Sequence, residues 1–211
     1  MEDINNKMLA LIMIGGQSKR MGGGIKSLTK FNKKRIFDRI LEKLTPQIEK
    51  IIINCNSEEE KLEKYQLPII KDLKEGYLGP LAGIHSAMNW AFNNDPEVEW
   101  LITLPGDTPF IPDDIIYKFQ KKISKNIKII LAQSNNKTHP IIGAWHLSLF
   151  KNLDKHLNLG TRKILSWAEL YPIEFINYNY QTYDPFFNIN TKDDLEKATN
   201  IERDFLKKKI E

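Results

Sequence analysis

The chain has 211 residues, 41% hydrophobic and 27% charged, with a net charge of +4. That length suits one well-buried α/β domain and is short for two, and the mild positive charge decides between no partners. One cysteine, Cys55, excludes an intrachain disulfide and fits a reducing compartment. The apolar run at residues 8–14 is too short to span a bilayer, and Met1–Lys7 carries two acids where a signal peptide starts basic. A cytoplasmic protein is expected, one that enters no membrane.

In chain order, residues 8–14 read as a strand and 35–47 as an amphipathic helix with Ile36, Ile40, Leu41 and Leu44 on one face. A β-branched run at 50–54 predicts a strand. Ser57 opens a predicted helix to Tyr65, with Glu60 in the capping-box position. Further strands are expected at 67–71, 100–104, 127–132, 141–146 and 174–179. Helices are expected at 80–93, 112–123, 147–156 and 161–170, and a last one is capped by Thr191 with Asp194 three residues on. Short apolar strands between helices imply a mostly parallel sheet covered on both faces. Ligands of such sheets bind beyond the carboxyl ends of the strands. The residues just past each strand are therefore the informative part of the sequence.

The first strand runs into Gly15-Gly16-Gln17-Ser18-Lys19-Arg20-Met21-Gly22-Gly23-Gly24-Ile25-Lys26. Glycines let backbone N–H groups face an anion, and Arg20 and Lys26 bring positive charge to a polyphosphate. Two better-known phosphate loops are excluded. Ile25 stands where a Walker A loop needs glycine before Lys-Ser, and Gly16-Gln17 breaks the Gly-x-Gly-x-x-Gly dinucleotide pattern.

The later strand ends are also polar. Asn54 follows the second strand; its amide could read a base or ribose, or simply sit in a turn. Asp72 follows the third, where a carboxylate can accept from the paired N–H donors of guanine. Gly79-Pro80 then opens a helix whose N–H groups could meet an anion. Asp107, in Pro105-Gly106-Asp107-Thr108-Pro109, is the first candidate for a magnesium ligand on a nucleotide. Asn188 and Asn190 lie two apart in an extended segment and so share a face toward metal or second substrate. His139-Pro140 could line a cleft or be a satisfied structural histidine. The histidines show no metal-binding spacing, no Gly-x-Ser-x-Gly elbow occurs, and aromatics are not interleaved with a basic stripe, so nucleic acid is not expected as a partner.

Together these segments resemble a known family. Gly15-Gly16-Gln17-Ser18-Lys19-Arg20-Met21-Gly22 with Lys26 is similar to the first signature of the nucleotidyltransferases that modify molybdopterin. Gly79–Gly83, Pro105–Pro109, His139-Pro140 and Asn188–Thr191 are similar to that family's later motifs, in the same order. The set resembles the molybdenum cofactor guanylyltransferases. The resemblance runs from about Leu9 to Ala198, and a single nucleotidyltransferase domain over 1–211 is expected. Its fold would be a Rossmann-like three-layer α/β/α sandwich of the nucleotide-diphospho-sugar transferase type. It implies transfer of GMP from GTP to molybdopterin cofactor with release of pyrophosphate, assisted by Mg2+ or Mn2+.

By motif position, the backbone around Met13, Ile14 and Gly15, with Gly16, Asn54, Asp72 and Gly79, would bind nucleotide. Lys26 and Arg20 would meet its phosphates, and Asp107 would hold the metal. Gly83, His139, Asn188 and Asn190 fall to the acceptor side. Partners would be the two substrates and proteins of cofactor synthesis or molybdoenzyme maturation, around a monomer or weak oligomer. CTP as donor, a sugar phosphate as acceptor, and a non-catalytic GTP or cofactor carrier are the alternatives. Ile14 and Lys33 depart from the family pattern, which favours Ala and Gly there.

Overall fold

The computed structural model describes residues 4–15, 25–74, 76 and 79–208. Nine strands alternate with six α-helices among them: β1 (Met8–Ile14), β2 (Lys30–Phe31), β3 (Lys34–Arg35), α1 (Ile36–Leu44), β4 (Ile51–Cys55), β5 (Ile69–Ile70), α2 (Pro80–Asn94), β6 (Trp100–Pro105), α3 (Ile115–Lys122), β7 (Ile129–Ser134), β8 (Lys137–His146), α4 (Phe150–Asn158), α5 (Ile164–Ala168), β9 (Ile173–Tyr178) and α6 (Lys192–Lys208). Seven strands form one sheet in the order β5-β4-β1-β6-β8-β7-β9. Every pairing is parallel except those of β8, which runs antiparallel to both its neighbours. The mostly parallel three-layer expectation therefore holds.

Burial on both sheet faces explains why the strands read as continuous apolar runs. Ala10, Ile12 and Ile53 face a layer with Ile36, Ile40 and Leu44 of α1 and Ile116 and Phe119 of α3. Leu9, Leu11 and Ile52 face the opposite layer, with Leu81, Ile84 and Met88 of α2, Leu153 of α4 and Trp167 of α5. Each fully buried Leu or Ile contributes roughly 1.5–3 kcal/mol relative to exposure. No helix among the described residues is long and apolar enough to cross a membrane.

Three local differences from the sequence expectation have physical causes. Residues 57–65 form two short 3-10 turns, Glu59–Lys61 and Glu63–Tyr65, instead of one helix. Glu58 and Gln66 are left-handed, at φ 52° and 54°, and bracket the segment, so the capping box never forms. β8 begins before Pro140 because the β7 ladder shifts register beside it, between Leu131 and Ala132; proline, with no N–H, is tolerated at such a bulge. Finally, β2 and β3 form an unforeseen hairpin through Asn32 and Lys33, both at positive φ.

The strand order reverses between β1 and β6, since β4 and β5 lie to one side of β1 and β6 to the other. A crevice is expected at the carboxyl ends of those two strands.

Candidate active site

A cleft of about 330 Å³ opens at that place, and its described lining includes Met13, Gly15, Lys26, Asn54, Asp72 and Asp107. The β1 and β6 ends are joined there by the Gly106 N–H, which donates to the Met13 carbonyl at 2.9 Å. A Cβ on Gly106 would stand 2.7 Å from Ser27 Oγ and 3.2 Å from the Met13 carbonyl oxygen. Glycine is thus required for the approach that brings Asp107 beside the first strand.

One end of the cleft is built from Asp72. Its Oδ1 accepts from Asn54 Nδ2 at 3.0 Å and its Oδ2 from Asn56 Nδ2 at 2.8 Å. The Asp72 backbone N–H donates to Asn56 Oδ1 at 2.8 Å. A carboxylate has about four acceptor positions, so each oxygen retains capacity toward the cleft. Asn54, only 5% exposed, lines the cleft and holds Asp72 in place. α2 packs tightly underneath, where a Cβ on Gly83 would meet Asn54 Oδ1 at 2.6 Å. Gly83 thus packs against Asn54 and Met13 on the Asp72 side of the cleft. Gly79, at φ 70°, turns the chain into α2 at the cleft wall.

The other end gathers charge. Lys26 Nζ donates to Asp107 Oδ2 and, at 2.7 Å, to Asn190 Oδ1. Asn190 is held there by the start of α6. Asp194 accepts from the N–H groups of Asn190 and Thr191, and Thr191 Oγ1 accepts from the Asp194 N–H. That is the expected cap in a reciprocal form. Burial pushes the Asp194 carboxyl up, but these hydrogen bonds outweigh it and leave its pKa below the usual value. Asn188 is placed by the preceding turn: Thr108 Oγ1 donates to Asn188 Oδ1 at 3.3 Å, and the Ile189 N–H donates to the Asp107 carbonyl at 3.0 Å.

His139 does not appear in the described lining of the cleft. It sits beneath the Asn188 segment, bonded to Ser134 Oγ at 2.6 Å and packed on Phe186. Burial lowers its pKa, partly opposed by Asp184, whose carboxylate is 3.8 Å away. Ile14 also turns away, 8% exposed and packed in the core. Its bulk occupies the protein interior, and Met13 is the β1 side chain that lines the cleft. Cys55 is buried likewise, its thiol pushed up chiefly by burial. Gly16 and Arg20 lie outside the described residues.

Asn56, Ser27, Thr108 and Ile141 are site residues that the sequence reading did not single out. Asn56 was the findable one, since it shares a strand face with Asn54 by alternation.

A family model described as a MobA-like NTP transferase domain matches residues 10–172. The chain belongs to this family. The matched span includes the Asp72 and Asp107 ends of the cleft, and membership makes the protein a nucleotidyltransferase. Among similar proteins is a molybdenum cofactor guanylyltransferase of Rhodopseudomonas palustris, 32% identical over 194 residues, covering 91% of this chain and 92% of the relative. Another, from Mesorhizobium japonicum, is 34% identical over 196 residues, covering 90% and 94%. The crystal structure of molybdopterin-guanine dinucleotide biosynthesis protein A from Archaeoglobus fulgidus aligns with a TM-score of 0.73 at 25% identity, covering 93% of this chain and 99% of that one.

Proposed function

We propose that this MobA-like nucleotidyltransferase transfers GMP from GTP to the molybdopterin cofactor, yielding the guanine dinucleotide form and pyrophosphate. The observation that carries the base assignment is the Asp72 carboxylate, fixed by Asn54 and Asn56 and facing the cleft. Guanine presents a ring N–H and an exocyclic amine side by side, which one carboxylate can accept together. Cytosine presents the amine beside an acceptor, which would repel the second oxygen. The names of the similar relatives support the same donor and acceptor.

The terminal phosphate of the acceptor attacks the α-phosphorus in line, and pyrophosphate leaves with no covalent enzyme intermediate. Lys26 holds an α-phosphoryl oxygen and offsets the charge that grows there; positioning and electrostatics carry such a step. Arg20, assigned by its motif, meets the β,γ-phosphates. Asn188 and Asn190 position the acceptor side.

Asp107 with the Asn188 and Asn190 amide oxygens offers hard oxygen donors, the set magnesium takes with substrate phosphates. Two of these oxygens, Asp107 Oδ2 and Asn190 Oδ1, already converge on one cation, the Lys26 ammonium, so a cation fits among them. When bound, Mg2+ or Mn2+ supplies charge neutralisation to the phosphates. The test is pyrophosphate release with each nucleoside triphosphate, with and without molybdopterin. GTP-specific release that requires molybdopterin is expected. Faster release with CTP, or turnover on a sugar phosphate instead, would overturn the assignment.

A further inference from the structure

Two carboxylates, Asp72 and Asp107, occur among the described residues that line the cleft. Asp72 stands at the other end of the cleft, held by two amides and open toward a base. Asp107 is committed to Lys26, and both side chains are largely buried, at 15% and 14% exposure. An arriving divalent cation therefore meets a neutral pair. To take Asp107 it would have to leave the Lys26 ammonium partly buried without its carboxylate, and breaking one half of such a pair is costly. Asn190 Oδ1, the neighbouring oxygen donor, is held by the same ammonium.

We infer that Lys26 is a placeholder cation: it closes Asp107 to a free divalent ion and releases it only when a nucleotide polyphosphate offers Lys26 a new anionic partner. The inference rests on the nucleotidyl-transfer reading and adds an order to it. The ligand class recognised is a metal–polyphosphate complex, not a bare metal. In the exchange, the ammonium moves from carboxylate to phosphate while the carboxylate passes to the metal, so neither group is left unpaired. Metal and nucleotide affinities are then coupled, each raising the other by the same factor.

Free Mn2+ binding, followed by electron paramagnetic resonance on the intact chain without nucleotide, tests this directly. Wild type should bind weakly. Lys26→Met should bind Mn2+ roughly tenfold tighter or more, because a full positive charge beside the site is gone. Adding Asp107→Asn to Lys26→Met should abolish that gain. Lys26→Gln provides a second variant, and a thermal melt of each shows that it is folded. Equal Mn2+ affinity in wild type and Lys26→Met would overturn the placeholder, and so would absence of binding in the folded variant. Wild type to which GTP has been added separates the two levels of the claim. If Mn2+ fails to join protein and GTP in that mixture, the metal assignment itself falls. If it joins there but binds equally well without GTP, only the placeholder falls.

Discussion

The two halves of the sheet supply the cleft in different ways. In the parallel half, β5-β4-β1-β6, the polar groups stand directly on strand ends: Asn54 within β4, Asp72 just past β5, and Gly106 and Asp107 just past β6. Parallel topology sends all four carboxyl ends to one edge, so position along the strand alone delivers the group. In the mixed half, β8-β7-β9, the antiparallel strand points the other way. That half contributes Ile141 beside a register shift, and then a returning segment that must be tied down residue by residue. Asp184 Oδ1 accepts from the Phe186 N–H, Phe186 is buried against His139 and Tyr178, and Ile189 bonds the Asp107 carbonyl. The first half places its chemistry by topology; the second places it by hydrogen bonds and packing.

Removing chemistry from the first half should have the largest effect. Asp107→Ala is expected to lower turnover by about 10²–10³ or more, as removal of one preorganised electrostatic group does, while the protein stays folded. Single-turnover GTP kinetics and a melting curve check both parts. Near-normal turnover would move the metal away from the parallel half and reverse the comparison.

Next in size is a change to the packing that supports the Asp72 end. Gly83→Ala forces a Cβ to within 2.6 Å of Asn54 Oδ1 and 2.8 Å of Met13 Cε. The methionine can bend, but Asn54 is held by Asp72 and the Ile70 carbonyl. The expected cost is about 1–3 kcal/mol of stability, as for overpacking elsewhere, with a rise in the KM for GTP. Urea denaturation and steady-state kinetics measure the two. Loss of stability with no change in KM would separate Gly83 from the base end of the cleft.

A smaller effect should come from the cap that seats Asn190 in the second half. Asp194→Ala removes the acceptor for two backbone N–H groups and is expected to cost about 1 kcal/mol. Its folded pKa lies below the ordinary 3.8. The carboxylate therefore contributes its stability in full above that value and loses it as pH falls through the lower, folded value. Wild type and variant should differ at neutral pH and converge in strong acid. A difference that persists undiminished there would assign the effect to something other than the charged cap.

This contrast also governs how much was legible in the sequence. The apolar strands, the helices covering them, and Asp72 and Asp107 could be placed because parallel strands are continuous apolar runs with polar ends. The convergence of Lys26, Asp107 and Asn190 could not be derived from spacing, since it joins segments 81 and 164 residues apart. The family motifs pointed to those residues without their contacts. His139 stood in a recognisable dipeptide, but its pairing with Ser134 depends on a hairpin turn at Asn135 and Asn136 and a bulge beside Pro140. Ile14 departs from the family pattern in bulk, and which way that bulk points follows only from the strand's alternation in space, which turns the side chain into the core.

The smallest expected effect concerns the β2-β3 hairpin that links the basic loop to α1. Its two-residue turn puts Asn32 at φ 45° and Lys33 at φ 68°. Such turns favour Asn-Gly, because both central residues need positive φ. Asn32 meets that need at little cost, whereas Lys33 carries a Cβ where glycine would carry none. The departure from the family pattern thus leaves a left-handed turn filled by a less suited residue. Lys33→Gly relieves the local strain but enlarges the freedom of the unfolded chain, so the net gain should be below about 1 kcal/mol. Lys33→Val should be destabilising, since a β-branched side chain is poorly tolerated there. Chemical denaturation of the three proteins should rank them Gly, Lys, Val, with nucleotide kinetics unchanged, because the turn carries no group of the cleft. Equal stability for Gly and Val would mean that the turn is not left-handed, and the hairpin would then join the parts of the fold placed by packing rather than by local backbone geometry.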